Sequence, residues 1–145
     1  MLRDLTSMSR TAGDLTVVPL HSDEDVVRLR KAVRECLVSL GFSLIEQTKM
    51  VTAASELARN TVGYGGGGES HVAKISDGSR RGVRLSFIDH GPGIADVALA
   101  LTDGYTSGGG MGLGLGGAKR LSDEFDLQTE PGKGTVVTIT KWKPF

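Results

Sequence analysis

The chain is organised around the segment Ser55-Glu56-Leu57-Ala58-Arg59-Asn60. At about 100° per residue, Glu56 and Asn60 stand one turn apart on a shared helical face. Another arc of the same helix carries apolar and small residues, which are Met50, Val51, Ala54, Leu57, Ala58 and Val62. We therefore expect this helix to bury one face and to present a carboxylate and an amide elsewhere. The pair alone is also typical of an exposed polar face, so later segments must distinguish the two interpretations.

Two helices begin with the same capping pattern, a serine followed three residues later by an acid. Ser22 precedes the first helix and Ser43 the second, and glycines end them at Gly41 and near Gly63. The glycine-rich stretch Tyr64–Gly68 predicts a flexible loop. Strands are indicated by short apolar runs between turn residues. They are expected over residues 15–20, 71–76, 81–88, 125–129 and 135–142.

The chain start is poor in large apolar groups. Residues 1–13 predict a flexible leader, and residues 14–145 predict a single domain, because 145 residues are enough for one core. Later, the third predicted strand alternates Val83, Leu85 and Phe87 with Arg84 and Ser86. This period of two predicts a half-buried antiparallel hairpin with the strand before it.

Glycines cluster beyond that hairpin in two places. Asp89-His90-Gly91-Pro92-Gly93 places an acid at a strand end before a tight turn, although an acid here is also typical of a plain turn. Further on, Gly108–Gly110 precedes Met111-Gly112-Leu113-Gly114-Leu115, which opens a helix running to about Ser122. The first amides of a helix have no intrahelical partner, so this helix start predicts a phosphate site.

Composition excludes several classes of function. Lys plus Arg and Asp plus Glu each number 17, so no bulk positive charge attracts nucleic acid or an anionic membrane. The single cysteine, Cys36, excludes an internal disulfide and fits a reducing compartment. The sequence shows neither a secretory signal pattern nor an apolar run of about 18 residues. We expect a cytoplasmic protein with no nucleic-acid and no membrane partner.

Four motifs, in this order, resemble those of the GHKL ATPase superfamily. They are Glu56-x-x-x-Asn60, Asp89-x-Gly91-x-Gly93, Gly110-x-Gly112-Leu113-Gly114-Leu115 and Gly132-x-Gly134-Thr135. The resemblance implies an α+β fold, the two-layer α/β sandwich called the Bergerat fold. Helices would pack on one face of a mixed, mainly antiparallel sheet, with ATP between the layers.

The same resemblance implies the roles of individual residues. Glu56 would be catalytic, Asn60 would ligate Mg²⁺, and Asp89 would accept a hydrogen bond from the adenine amino group, with Thr135 supporting it. The implied cofactor-binding residues for ATP and Mg²⁺ are Asn60, Asp89, Gly91, Gly93, Gly108, Gly109, Gly110, Met111, Gly112, Leu113, Gly114, Leu115 and Thr135.

Within the superfamily, residues 55–60 and 118–125 resemble the small stand-alone serine-protein kinases of bacterial partner switches, notably the RsbT-type kinases of the stressosome. This implies an ATP-dependent serine/threonine protein kinase that phosphorylates a STAS-domain antagonist. A PP2C-type phosphatase or a sigma factor is a further implied partner. The alternatives are a nucleotide-dependent regulatory protein of the same fold with little catalysis, such as an anti-sigma factor or phosphatase activator, and a glycine-rich domain that binds no nucleotide.

The composition of residues 103–110 generates a first prediction. This segment is rich in glycine, and we expect it to act as a lid that orders over the phosphates when Mg-ATP binds. Hydrogen exchange measured on peptides covering residues 103–110 should slow when Mg-ATP is added. Equal exchange rates with and without the nucleotide would show that this segment is not a lid.

Overall fold

The computed structural model describes residues 11–102 and 114–144, and the structural statements below concern these two ranges. These two ranges contain five strands and four helices. In chain order they are β1 (Thr11–Leu20), α1 (Asp23–Ser39), α2 (Leu44–Val62), β2 (Gly68–Asp77), β3 (Arg80–Asp89), α3 (Val97–Ala100), α4 (Gly114–Leu121), β4 (Glu124–Glu130) and β5 (Gly134–Trp142).

The strands form one sheet in the order β1-β2-β3-β5-β4. All four described pairings are antiparallel, so the parallel component of the expected mixed sheet is not found in the described residues. The long helices α1 and α2 pack on one face of this sheet and share a core with it. The predicted α+β, two-layer fold is confirmed.

The two long helices begin where the capping pattern predicts. Ser22 Oγ accepts a hydrogen bond from the Asp25 amide at 3.3 Å, and Ser43 Oγ accepts one from the Glu46 amide at 3.2 Å. Each serine thereby satisfies a helix-start amide that lacks an intrahelical acceptor. No helix within residues 11–102 and 114–144 is long and apolar enough to cross a membrane.

The core lies between α1, α2 and the inward face of the sheet. The predicted apolar arc of α2 is buried, apart from Val62, which is partly exposed and packs against the core. Fully buried large side chains include Leu29, Leu37, Met50, Leu57, Leu85, Phe87 and Ile139. At about 25 cal/mol per Å² of apolar surface, this burial is the main stabilising contribution that fixes α2 over the sheet.

The expectation of a half-buried β3 is wrong. Arg84 is 6% exposed and Ser86 is 1% exposed, although both lie on the sheet face away from the core helices. Arg84 Nε donates to Thr140 Oγ1 at 3.3 Å, and the Ser86 and Thr138 hydroxyl oxygens are also 3.3 Å apart. Arg84 and Ser86 are buried because β3 lies between β2 and β5, whose side chains flank those of β3 on both faces of the sheet.

The first strand begins earlier than predicted. Thr11 pairs with Ser76 of β2, so residues 11–13 belong to β1 and not to a leader. Strand pairing uses backbone groups, and a segment without large apolar side chains can therefore extend an edge strand. Residues 1–10 lie outside the described residues, and the remaining division into leader and domain stays a prediction.

An ion cluster around the buried Lys141 joins α2 to the sheet. Lys141 of β5 is 8% exposed, and its Nζ lies 2.8 Å from Glu46 Oε2 and 3.4 Å from Asp123 Oδ1. The hydrogen bond from Lys141 lowers the pKa of Glu46 against the opposing effect of burial. Burial disfavours the charged form of Lys141, but Glu46 and Asp123 outweigh it and raise its pKa.

We expect Glu46→Gln to lower the free energy of unfolding at pH 7 by about 1 to 2 kcal/mol, because Lys141 loses a charged partner. The pKa of Glu46 is lower in the folded protein than its ordinary value of 4.5, so the ionised carboxylate stabilises the fold at pH values above 4.5. This contribution is lost as the pH falls through the folded pKa. Denaturant unfolding of the wild type and the variant at pH 7 and at pH 3.5 measures the loss of stability and its pH dependence. Glu35→Gln, at an exposed position of α1, is the control. A wild-type to Glu46→Gln difference that does not shrink at low pH would contradict this account.

Candidate functional site

A cavity of about 260 Å³ lies between the helix layer and the sheet. Its apolar wall is formed mainly by Leu57, Phe87, Ile94, Leu99, Leu115 and Val137. Its polar groups come from Asn60, Thr61, Tyr64, Asp89, Asp96 and Thr135. A mostly apolar cleft with a few polar groups is the usual character of a small-molecule site.

Asp89 is the last residue of β3 and is 8% exposed. Its Oδ1 accepts a hydrogen bond from the Gly91 amide at 2.9 Å. Thr135 of β5 is its direct partner across the ladder and lines the same cavity. The structure thus brings together an acid and a hydroxyl that are 46 residues apart in sequence. A ligand placed here could donate a hydrogen bond to a buried carboxylate, which is stronger than a bond to a neutral acceptor.

Two glycines allow two loops to meet beside Asp89. A Cβ on Gly65 would lie 2.6 Å from the Asp89 side chain, and a Cβ on Gly91 would lie 2.6 Å from the Gly65 carbonyl oxygen. The amide of Gly65 donates to the Asn60 carbonyl, at 2.9 Å. The stretch expected to be a flexible loop is therefore hydrogen-bonded to the end of α2 and packed against the turn after β3, and Gly68 already belongs to β2.

The turn after β3 is also held by residues that sequence reasoning did not single out. Thr129 Oγ1 accepts from the Ile94 amide at 2.8 Å and lies 3.0 Å from Thr135 Oγ1. Tyr64 donates its hydroxyl proton to the Gly93 carbonyl at 3.2 Å. The predicted hairpin of the last two strands could have indicated Thr129, because a short turn brings the residues beside it together, and the observed register places Thr129 opposite Thr135. No pattern in the sequence indicated a role for Tyr64.

Glu56 and Asn60 take different positions relative to the cavity. Asn60 lines it, whereas Glu56, one turn earlier, is not among the lining residues in the described part of the chain. Glu56 Oε1 accepts a hydrogen bond from Arg59 Nη1 at 3.0 Å, and its side chain is 15% exposed. The shared helical face was predicted from spacing, but the ion pair with Arg59 was not.

The remaining predicted site residues fall into two groups. Gly114 and Leu115, at the described start of α4, are buried and line the cavity, and Gly91 and Gly93 form the turn after Asp89. The others lie outside the described residues, and they are Gly108, Gly109, Gly110, Met111, Gly112 and Leu113.

Residues 45–144 match the family described as histidine kinase-, DNA gyrase B- and HSP90-like ATPases. This chain belongs to that family of ATPases. The match covers the cavity and the elements that build it, from α2 to β5. ATP use follows from membership.

The chain is also similar in sequence to a protein kinase and to anti-sigma factors. The chain is 38% identical over 130 residues to the serine/threonine-protein kinase RsbT of Bacillus subtilis, covering 90% of this chain and 98% of RsbT. It is 29% identical over 142 residues to the anti-sigma F factor of Pasteuria penetrans, covering 92% of each. The anti-sigma F factor of Thermoanaerobacter sp. is 27% identical over 119 residues, covering 78% of this chain and 82% of that factor.

A solved structure supports the fold. The RsbU and RsbW domains of Rv1364c from Mycobacterium tuberculosis superpose with a TM-score of 0.63 at 23% identity, covering 91% of this chain and 34% of that one. At this identity the likeness concerns the fold alone. The sequence relatives confirm the expected place of the chain among partner-switching ATPases, as a homologue of a serine/threonine-protein kinase and of anti-sigma factors.

We expect Asp89→Asn to weaken ATP binding by roughly 10- to 150-fold, because a hydrogen bond to an ionised acceptor contributes about 1.5 to 3 kcal/mol. The asparagine carbonyl can still accept from the Gly91 amide, so the turn should be preserved. Isothermal titration calorimetry with Mg-ATP measures the change. An unchanged dissociation constant would show that Asp89 does not contact the nucleotide.

Proposed function

We propose that this chain is an ATP-dependent serine/threonine protein kinase of a bacterial partner-switching, stressosome-like pathway, and that its substrate is a hydroxyl on a STAS-domain antagonist. The observation that carries the proposal is the cavity in which Asp89, Thr135 and Asn60 converge. The similarity to RsbT over nearly its whole length supports the choice of a kinase among ATPases of this fold.

The base of ATP would bind beside Asp89. Its carboxylate would accept a hydrogen bond from the adenine amino group, with the Thr135 hydroxyl supporting the same edge. Gly91 and Gly93 allow the turn beside Asp89 to pack closely, because a Cβ at either would lie within 2.6 Å of a backbone carbonyl oxygen. The phosphates would lie toward Gly114 and Leu115 at the start of α4, where helix-end amides and the helix dipole favour anions. Gly108, Gly109, Gly110, Met111, Gly112 and Leu113 would complete this phosphate cradle.

The cavity wall also fits a magnesium ion. The Asn60 side chain supplies a carboxamide oxygen, and Mg²⁺ prefers hard oxygen ligands and takes most of its coordination shell from water and phosphate oxygens. Asn60 would therefore be a sufficient protein ligand. The ion, when bound, neutralises phosphate charge that develops during transfer.

Glu56 is the proposed general base. It lies four residues, or about 6 Å along the helix axis, before Asn60, so it is near the phosphates if Asn60 holds their counterion. In the transfer, the partner's hydroxyl oxygen forms a bond to the γ-phosphorus, the bond to the β-phosphate oxygen breaks, and Glu56 accepts the hydroxyl proton. Arg59 holds Oε1 of this carboxylate and would orient it.

A second function is favoured by a separate observation, the similarity to anti-sigma F factors over most of the chain. In that case the protein would bind a sigma factor, or activate a PP2C-type phosphatase, in a nucleotide-dependent way with little phosphotransfer. The two functions use the same cavity. They differ in whether Glu56 acts on a partner's hydroxyl.

We expect Glu56→Gln to lower the rate of phosphotransfer to a STAS-domain protein by about 10²- to 10⁴-fold, because glutamine cannot accept the proton. ATP and partner binding should be retained, since size and polarity are conserved. Incubation with labelled ATP and candidate STAS proteins measures the rate. Glu35→Gln on α1 is the matched control and should transfer phosphate like the wild type.

Two outcomes would revise this proposal. A rate for Glu56→Gln within about threefold of wild type would remove Glu56 from the mechanism and leave positioning and charge neutralisation, which a loose phosphoryl-transfer transition state permits. A wild-type protein that binds ATP tightly but phosphorylates no STAS protein would favour the regulatory function.

A further inference from the structure

The peptide group between Gly93 and Ile94 is held from two sides. Its carbonyl oxygen accepts from the Tyr64 hydroxyl at 3.2 Å, and its N–H donates to Thr129 Oγ1 at 2.8 Å. Both polar atoms of a single peptide plane are thereby bound by side chains from different parts of the fold. The plane can neither rotate nor shift without losing at least one of these bonds.

The two side chains come from opposite layers. Tyr64 follows directly after α2, the helix that carries Glu56 and Asn60, whereas Thr129 belongs to β4. The clamped peptide therefore links the end of the catalytic helix to the sheet. The turn also packs closely on the β4–β5 hairpin, because a Cβ on Gly93, whose φ is +76°, would lie 2.5 Å from the Glu130 carbonyl oxygen. The turn after Asp89 is thus held by side-chain bonds from both layers and by this close packing.

Thr129 also restricts the hydroxyl of Thr135. Besides accepting from Ile94, Thr129 Oγ1 lies 3.0 Å from Thr135 Oγ1 and 3.3 Å from the Gly134 carbonyl oxygen. Thr129 has one hydroxyl proton, so it donates either to Gly134 or to Thr135. In the first case Thr135 donates to Thr129, and in the second it accepts. In both cases the Thr135 hydroxyl is tied at one side and cannot turn freely toward the cavity.

We propose that Tyr64 and Thr129 are positioning residues that make the site selective for adenine over guanine. The inference rests on the nucleotide site of the proposed function. Adenine presents an amino donor where guanine presents a carbonyl acceptor, so a fixed Asp89 carboxylate attracts the first and repels the second. Selectivity requires that the residues around Asp89 stay in place, because a mobile turn and a freely rotating Thr135 hydroxyl could adapt to the guanine edge.

The test compares the dissociation constants of Mg-ATP and Mg-GTP, measured by calorimetry or by competition with a fluorescent ATP analogue. Tyr64→Phe keeps the ring and removes the hydroxyl, and Thr129→Val keeps the shape and removes the hydroxyl. Thr129→Ser restores the hydroxyl. The matched control is Thr138→Val, which removes a sheet hydroxyl that lies 3.3 Å from Ser86 on the far face.

Thr129→Val should weaken ATP binding by roughly 5- to 150-fold, because the part-buried Ile94 amide loses its acceptor and the released turn must be ordered again when ATP binds. Tyr64→Phe should weaken it by roughly 2- to 10-fold, because the Tyr64 side chain is half exposed and water can replace its bond. GTP binding should change much less, so the preference for ATP falls in both variants. The double variant should lose less than the product of the single losses, since both act on one peptide.

Thr129→Ser should stay within about threefold of wild type. Thr138→Val should leave the ATP-to-GTP ratio unchanged even if it lowers the melting temperature. An unchanged ratio in Thr129→Val and Tyr64→Phe, or an equal fall in Thr138→Val, would overturn the proposal.

A second measurement needs no variant. In the wild-type protein, NMR should show that the Ile94 amide exchanges slowly with solvent, because it donates to Thr129. Rapid exchange, typical of an unbonded amide, would overturn the clamp even if a substituted protein fails to fold. If the wild type binds no nucleotide, the proposed function fails, whereas slow Ile94 exchange would still establish the hydrogen bond from Ile94 to Thr129.

Discussion

The buried carboxylate of Asp89 is the constraint on which the site depends. A carboxylate is costly to bury unless nearby groups stabilise it, and Asp89 is only 8% exposed. Asp89 ends the central strand β3 and is paired on one side with Gly68 and on the other with Thr135, so its position is fixed by two ladders. The Gly91 amide donates to the carboxylate, and Gly65 and Gly91 allow two backbones to close around it.

The helix α2 is attached to the rest of the fold at both ends. Near its start, Glu46 pairs with the buried Lys141 of β5, and beyond its end the Tyr64 hydroxyl bonds to the turn that follows Asp89. Between these points its apolar arc packs on the sheet. Since Glu56 and Asn60 lie on this helix, their distance from Asp89 is set by contacts that neither residue makes itself. Such support is what a site needs to hold its groups in place.

Local patterns predicted much of this structure. The serine caps, the apolar arc of α2 and the acid at the end of β3 each follow from a few neighbouring residues. The burial of Arg84 and the contacts of Thr129 and Tyr64 depend on which strands and loops are neighbours. In this sheet β5 lies between β3 and β4, and a period-two pattern indicates which face a residue occupies but not which strand lies beside it.

We infer that ATP binds in the cavity beside Asp89. This assignment is tested most directly by following the backbone amide NMR shifts of the wild-type protein during titration with Mg-ATP. We predict that the largest shifts occur at Gly65, Gly91, Gly93 and Ile94, with smaller ones on the far face of the sheet. Saturable shifts confined to other surfaces, with these four amides unchanged, would contradict the assignment.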